Sequence, residues 1–247
     1  MNNVLIFDVD GTLTGQRRLI HEDFARFFKW VVETETVYLV TGSNMEKLER
    51  QIPEWLANAV AGIFTCSGNA YYEQGQPVFR MSHVFPQELE DFAQKLVDKS
   101  PYEERTGIHL EQRTGALNVS VVGRKATPMQ RSQYELYDEE VGERKAMIDA
   151  ICEAFPDYEA NRGGQISIDV SPKGWNKSRV YSEVATKHPD DAIYFFGDNI
   201  RKGGNDLPLA RTVQNGKTEN KVFAVRDHFE TWKILQDMFS AEMREAV

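Results

Sequence analysis

A short apolar run, Val4-Leu5-Ile6-Phe7, leads directly into Asp8-Val9-Asp10-Gly11-Thr12-Leu13-Thr14. The run has the length and composition of a buried strand. Two carboxylates one residue apart, a glycine and two hydroxyl residues stand at its C-terminal end. In an open α/β sheet, that end is where ligands bind. Asp-Gly after a strand also reads as an ordinary turn. A turn alone leaves the crowding unexplained, because two carboxylates at the mouth of an apolar strand repel unless a cation or a proton offsets them.

The same strand, turn, helix order repeats downstream. A helix is expected over about residues 21–33, with Phe24, Phe27, Phe28 and Val31 at helical spacing; ordinary core packing accounts for that stripe. Residues 36–40 read as a strand ending at Thr41-Gly42-Ser43-Asn44, followed by a helix through Met45, Leu48 and Ile52. The hydroxyls there suit either a helix cap, which local sequence favours, or a phosphate held at a helix start. A third strand at 62–65 ends in Cys66-Ser67-Gly68-Asn69. Such alternation predicts a Rossmann-like α/β core with a doubly wound parallel sheet.

From about residue 82 the pattern changes. A helix opens after Phe85-Pro86, strands are expected at 110–112 and 116–122, and a polar helical stretch at 129–155 breaks near Gly142. Residues 158–162 and 165–170 read as a hairpin joined by Gly163-Gly164. Residues 82–173 are therefore expected to form an inserted α+β cap, with an antiparallel sheet and helices, and residues 1–81 and 174–247 the core. In the returning core, a helix is expected at 175–187, strands at 192–196 and 221–225, and a closing helix at 229–243.

With 247 residues, 41% of them hydrophobic, the chain is long enough for two such domains. A net charge of −9 argues against general binding to nucleic acid or membrane surfaces, so cations for an anionic ligand must be gathered locally. Cys66 and Cys152 give neither a disulfide framework nor zinc spacing, and the five histidines show no metal-ligand spacing. The absence of a signal-like start and of a long apolar run leads us to expect a soluble, cytoplasmic protein.

If the strands are parallel neighbours, Asp8, Asp10, Thr41, Ser43, Asp198 and Asp206 converge on one sheet edge, with Lys177 close by. Asp8 with Asp198 makes a hard-oxygen pair suited to Mg2+. A carboxylate can also act as nucleophile and form an aspartyl phosphate, with Asp10 handling the proton and Lys177 offsetting phosphoryl charge. In the cap segment, Arg113, Arg124 and Arg131 form a local reversal of sign in an acidic chain. They read either as solvated surface arginines or as forks for a phosphate.

The first motif, Asp8 to Thr14, resembles that of phosphotransferases of the haloacid dehalogenase superfamily. Four further segments make the chain similar to eukaryotic-type phosphomannomutases. These are Arg113-Thr114-Gly115-Ala116-Leu117-Asn118-Val119-Ser120 with Gly123-Arg124; Gly163-Gly164-Gln165-Ile166-Ser167-Ile168-Asp169-Val170; Gly174-Trp175-Asn176-Lys177; and Tyr194-Phe195-Phe196-Gly197-Asp198 with Gly203-Gly204-Asn205-Asp206.

The resemblance implies a phosphorylated nucleophile at Asp8 and a general acid/base at Asp10. It implies Mg2+ held by Asp8, Asp198 and the Asp10 backbone carbonyl. Substrate contacts would come from Arg17, Ser43 and Lys177, and from Arg113, Arg124, Arg131, Ser167 and Asp169 in the cap. It further implies hexose phosphate substrates, a hexose 1,6-bisphosphate intermediate or activator, and a homodimer formed through the caps. Where the family has Gly-Trp-Asp-Lys this chain has Asn176, and where it has Gly-Gly-Ser-Asp this chain has Thr41-Gly42-Ser43-Asn44. Residues 207–212 offer no carboxylate for a second cation. The expectation is interconversion of mannose 6-phosphate and mannose 1-phosphate. A Mg2+-dependent sugar-phosphate phosphatase on the same scaffold is the alternative, and a non-catalytic phosphosugar-binding dimer a third.

Overall fold

The opening apolar run forms β1 (Asn3–Asp8), in which Val4, Leu5, Ile6 and Phe7 are all buried. Cover on both faces is why it reads as continuous apolar sequence rather than as alternation. The computed structural model describes residues 3–240, and the chain divides into two compact units, Met1–Arg80 with Lys177–Val247, and Met81–Asn176.

After β1, the first unit continues with α1 (Glu22–Thr34), β2 (Thr36–Val40), α2 (Met45–Leu48), α3 (Glu54–Ala59), β3 (Gly62–Thr65), β4 (Ala70–Glu73) and β5 (Gln76–Arg80). The second unit holds α4 (Gln87–Lys99), β6 (Leu110–Arg113), β7 (Ala116–Ser120), α5 (Pro128–Val141), α6 (Glu143–Ala154), β8 (Tyr158–Gly163) and β9 (Ser167–Pro172). The first unit then resumes with α7 (Arg179–Lys187), β10 (Ala192–Gly197), α8 (Leu207–Gln214), β11 (Lys221–Ala224) and α9 (His228–Met238). The part of the expected closing helix that runs through Met243 lies outside the described residues.

The first unit is built on a seven-stranded sheet in the order β11-β10-β1-β2-β3-β4-β5. Pairing is parallel from β11 to β3 and antiparallel for β3-β4 and β4-β5. β1 is flanked by β2 and β10, so the chain departs in opposite directions from it, which is the switch-point geometry of a ligand site. Its register pairs Phe7 with Phe196 and Asp8 with Val40. Leu5 and Phe7 pack with Phe24 and Phe28 of α1 and Leu235 of α9. Val4 and Ile6 pack with Val180 and Val184 of α7 and Leu209 and Val213 of α8.

The second unit has a four-stranded antiparallel sheet, β6-β7-β9-β8. Leu117 and Val119 of β7 pair with Val170 and Ile168 of β9 and join a core with Leu89, Tyr134, Met147 and Ile151. The intervening pairs, Asn118 with Asp169 and Ser120 with Ser167, occupy the opposite face, as the two-residue period of a strand requires. Gly142, at φ 71°, separates α5 from α6.

Several boundaries differ from the sequence reading for identifiable reasons. The helix expected through Ile52 is one short turn, α2; the chain then meets Pro53, which disfavours helix in the preceding residue and starts α3 instead. The hairpin of β4 and β5 went unread because its two-residue turn is Gln74-Gly75, both at positive φ, with glutamine where asparagine is the usual signal. In the second hairpin, Gly163 still pairs with Ser167, so the turn is residues 164–166 rather than Gly163-Gly164. The helix expected from Trp175 begins only at Arg179, leaving Lys177 in the preceding loop. α8, with Pro208 in its first turn, also went unread.

Candidate active site

At the C-terminal end of β1, the Asp8 carboxylate meets a lysine buried without exposure. Lys177 Nζ donates to Asp8 Oδ1 at 2.5 Å and to Asp206 Oδ1 at 2.6 Å. Asp8, Asp198 and Asp206 each offer an oxygen, and these lie within 4.8 Å of one another. Asp206 is set by its loop: its Oδ2 accepts from Asn199 N at 3.1 Å, and its own N donates to Asn199 O at 3.3 Å. A Cβ on Gly204 would stand 1.9 Å from Asn199 O, so the loop closes only with glycine there.

Gly11 has a similar role. It sits at φ 89°, and a Cβ on it would lie 2.4 Å from Asp198 Oδ2. The Asp-Gly of the opening motif therefore makes a turn and also clears room for a carboxylate arriving from β10.

The electrostatics follow from three carboxylates facing one ammonium. Burial first, and then the charge of Asp206, hold the Asp8 carboxyl well above the usual carboxylate range, against the pull of Lys177. Burial and Asp206 push Asp198 up to about 6. Burial alone would lower Lys177, but the Asp206 and Asp8 carboxylates outweigh it and keep the ammonium above the ordinary lysine range. The excess negative charge and all-oxygen donor set fit a hard divalent cation such as Mg2+. Asp8, Asp198 and Asp206 would hold it, and the cradle beside Gly11 leaves the Asp198 oxygen lying against the β1 loop.

Although its charge still acts on Asp198, Asp10 makes its hydrogen bonds to groups outside this cluster. Its Oδ1 accepts from Arg17 N at 2.7 Å and from Gln51 Nε2 at 2.8 Å, while its backbone carbonyl accepts weakly from Gln16 Nε2 at 3.4 Å. The third carboxylate of the cluster is thus Asp206, which the sequence reading placed at the right sheet edge without giving it a ligand role. Arg17 is exposed, at φ 55°, and meets Asp10 through its backbone. On the neighbouring loop, Thr41 Oγ1 accepts from Ser43 N at 3.0 Å. The helix cap is neither of these residues but Asn44, whose side chain accepts from Lys47 N. Cys66 N and Ser67 N donate to Ser43 O and Thr41 O at 2.8 and 2.9 Å, pinning the loop to the end of β3.

In the second unit, Arg113 at the end of β6 and Arg124 in the loop after β7 reach the polar face of β7 and β9, and Arg131 of α5 adjoins Arg124. Arg113 Nε donates to Glu111 Oε2 at 2.7 Å, and Arg124 Nε lies 3.2 Å from the same oxygen. Arg124 Nη1 reaches Ser167 Oγ at 3.4 Å, and Arg113 Nη1 lies 3.7 Å from Asp169 Oδ1. Arg131 donates through Nε to Ala126 O at 3.0 Å and through Nη2 to Arg124 O at 3.4 Å. Asn118 Nδ2 donates to Asp169 Oδ1 at 2.5 Å. A Cβ on Gly163 would sit 2.5 Å from Asp169 Oδ2, so glycine is needed for this carboxylate to lie across the sheet. Burial, and then the Arg113 charge, lower Arg124 from the ordinary arginine range, with Arg131 adding to the effect. The three guanidiniums thus gather positive charge on one part of the second unit, where Arg113 and Arg131 both act on Arg124.

Beneath this face lies an ion pair that the sequence did not suggest. Arg144 donates from N and Nε to Asp138 Oδ1 and Oδ2 at 2.6 and 2.8 Å, and both side chains are buried. Arg144 Nη1 also donates to Gly164 O at 2.6 Å and Ser167 O at 3.4 Å, fixing the turn that presents Ser167.

Carboxylates and a buried lysine at the switch point of a parallel sheet, on a chain with a separate antiparallel unit, define a phosphoryl-transfer fold of the haloacid dehalogenase type. The C-terminal domain of Candida albicans trehalose-6-phosphate phosphatase has the same fold, with a TM-score of 0.64 at 15% identity over 96% of this chain and 91% of that one. So does a sugar phosphatase of subclass IIB, with a TM-score of 0.61 at 16% identity over 96% and 99%. The sequence profile of eukaryotic phosphomannomutase matches residues 24–241. A phosphomannomutase of Spinacia oleracea is 32% identical over 216 residues, 83% of this chain and 85% of the relative. One of Saccharomyces cerevisiae is 30% identical over 248 residues, 96% and 94% of the two. The chain belongs to the eukaryotic phosphomannomutase family. The profile match begins after the Asp8–Thr14 stretch.

Proposed function

We propose that this protein is a phosphomannomutase, interconverting mannose 6-phosphate and mannose 1-phosphate through phospho-Asp8 and a hexose 1,6-bisphosphate. An Asp8 carboxylate oxygen attacks phosphorus, the bond from phosphorus to the ester oxygen breaks, and Asp10 gives its proton to the leaving sugar oxygen. In the reverse direction Asp10 takes the proton of the accepting hydroxyl. Lys177 offsets charge on the transferred group through its position on Asp8. Asp8, Asp198 and Asp206, with the Asp10 backbone carbonyl that the family resemblance implies, would hold Mg2+, which would supply further charge compensation there.

The observation that carries a mutase over a phosphatase is the cluster of Arg113, Arg124 and Arg131 around Glu111, Ser167 and Asp169. Hydrolysis of a monophosphate needs one phosphate site. A mutase must also hold the second, non-reacting phosphate, and must do so whichever end of the sugar reacts. Arginine forks recognise phosphate irrespective of the sugar face attached to it.

The test is an assay with mannose 1-phosphate, Mg2+ and a trace of glucose 1,6-bisphosphate. Mannose 6-phosphate should accumulate at the expense of substrate; inorganic phosphate without any hexose 6-phosphate would leave a phosphatase. We also propose that the protein forms a homodimer through its second unit, where Met129 and Leu136 of α5 are exposed. Light scattering should give twice the chain mass, and Leu136→Glu should return it to one.

A further inference from the structure

We propose that Gln51 is a positioning residue that fixes which oxygen of the Asp10 carboxylate exchanges the proton during phosphoryl transfer, an assignment that rests on the proton role given to Asp10 above. Gln51 follows α2 and is buried, an uncommon setting for a glutamine. Its backbone is held on both sides: its N donates to Leu48 O and its O accepts from Ile20 N, each at 2.8 Å. Its side-chain Nε2 then donates to Asp10 Oδ1 at 2.8 Å and to Thr14 Oγ1 at 3.3 Å.

The identity of the amide atom facing Asp10 follows from its neighbours. Thr14 Oγ1 has a single proton, and its other contacts, Val9 O and Gly15 O, are both acceptors. That proton is committed, so Thr14 must accept from Gln51, as Asp10 does. Oε1 on this side would face two acceptors, and Nε2 is required.

Both groups on Asp10 Oδ1, the Arg17 backbone N–H and the Gln51 amide, can only donate. An oxygen receiving two such donors has no place for a proton. Among the described residues, every hydrogen bond to this carboxylate goes to Oδ1. The proton of Asp10 therefore belongs on Oδ2, and Gln51 keeps the carboxylate from rotating. Arg17 supplies the other donor from backbone, which a side-chain substitution does not remove; Gln51 is the half that mutation can reach.

The experiment compares two phosphate esters on the full chain with Mg2+, reading phosphoenzyme formation by rapid quench and intact mass. A hexose 1,6-bisphosphate, the ester that phosphorylates Asp8 in the proposed cycle, leaves as an alkoxide and needs the Asp10 proton on its ester oxygen as the P–O bond breaks. p-Nitrophenyl phosphate leaves as a stable phenolate and needs none. In both, the new bond joins an Asp8 oxygen to phosphorus. Gln51→Leu and the volume-conserving Gln51→Met should slow the sugar ester about tenfold or more and the aryl ester less than about twofold. The ratio of the two rates is internal to each preparation, so loss of folded protein cancels. Asp10→Ala, run alongside, should show the same discrimination more strongly. Equal loss on both esters in the Gln51 variants, or no loss on either, overturns the assignment while leaving Asp10 in place if Asp10→Ala still discriminates. Failure of Asp10→Ala to discriminate overturns the proton role itself and the Gln51 assignment with it.

Discussion

Lys177→Met tests whether the buried lysine is the counter-charge of the carboxylate cluster. The substitution keeps an unbranched chain of similar length and removes the ammonium that lies 2.5 Å from Asp8 and 2.6 Å from Asp206. At an effective dielectric of about 20, each contact has a gross attraction of about 6 kcal/mol. Most of that is offset by the desolvation that burial imposes, and breaking a buried pair from one side typically costs about 3–5 kcal/mol. For a domain of this size that is a fall in Tm of roughly 6–20 °C. The effect must depend on pH with a definite sign. Asp8 lies above the ordinary carboxylate range, and Asp198 at about 6, even with the lysine present. Carboxylates raised in the fold bind protons more tightly there than in the unfolded chain, so their burden on stability eases as pH falls through that region. Removing the lysine raises them further. Thermal unfolding in chelator should therefore show a large deficit for Lys177→Met at pH 7 that shrinks at about pH 5, and that Mg2+ partly restores at pH 7. A deficit of equal size at both pH values and unaffected by Mg2+ would refute the counter-charge role. Phosphoenzyme formation at pH 7 should fall about a hundredfold or more with Mg2+ present.

Asp8→Asn should abolish phosphoenzyme on intact-mass analysis; in chelator at pH 7 it should melt no lower than the wild type, because it removes a carboxylate whose ionisation the fold disfavours. Gly163→Ala should displace Asp169, which a Cβ would approach to 2.5 Å, raising KM for mannose 1-phosphate several-fold while aryl phosphate turnover changes less than about twofold. Arg144→Met leaves buried Asp138 with Arg162, 3.1 Å away, as its remaining ion partner among the described residues. It should destabilise the second unit by about 3–5 kcal/mol in denaturant unfolding, and expose the turn after β8 to limited proteolysis.

Local order carried much of the fold in the sequence. Apolar runs ending in Asp8, Val40, Thr65 and Gly197 needed only the strand signature and the turn that follows. What escaped was structure whose signal is non-local or atypical. The turn at Gln74-Gly75 lacks the asparagine that marks its class. The loop before α7 contains no breaker after Gly174 to distinguish it from the helix. Within the site, types of residue were legible because phosphoryl transfer restricts the chemistry to carboxylates, hydroxyls and cations. Partners were not. Asp206 joins Asp8 through a lysine from a loop 169 positions after it, and Gln51 reaches Asp10 across 41 residues. The pair of Asp138 and Arg144 is close in sequence, but its burial depends on the second unit's own packing, which spacing alone does not reveal.

The partition of phospho-Asp8 between sugar and water tests the central claim most directly. Phosphoenzyme prepared with labelled hexose 1,6-bisphosphate is chased with mannose 1-phosphate in 18O-enriched water, and the fate of the phosphoryl group is counted. Transfer to a hexose bisphosphate, with little 18O-labelled inorganic phosphate formed during the chase, is the result that a phosphomannomutase must give. Label appearing chiefly as 18O-containing phosphate, with mannose 1-phosphate unchanged, would contradict it.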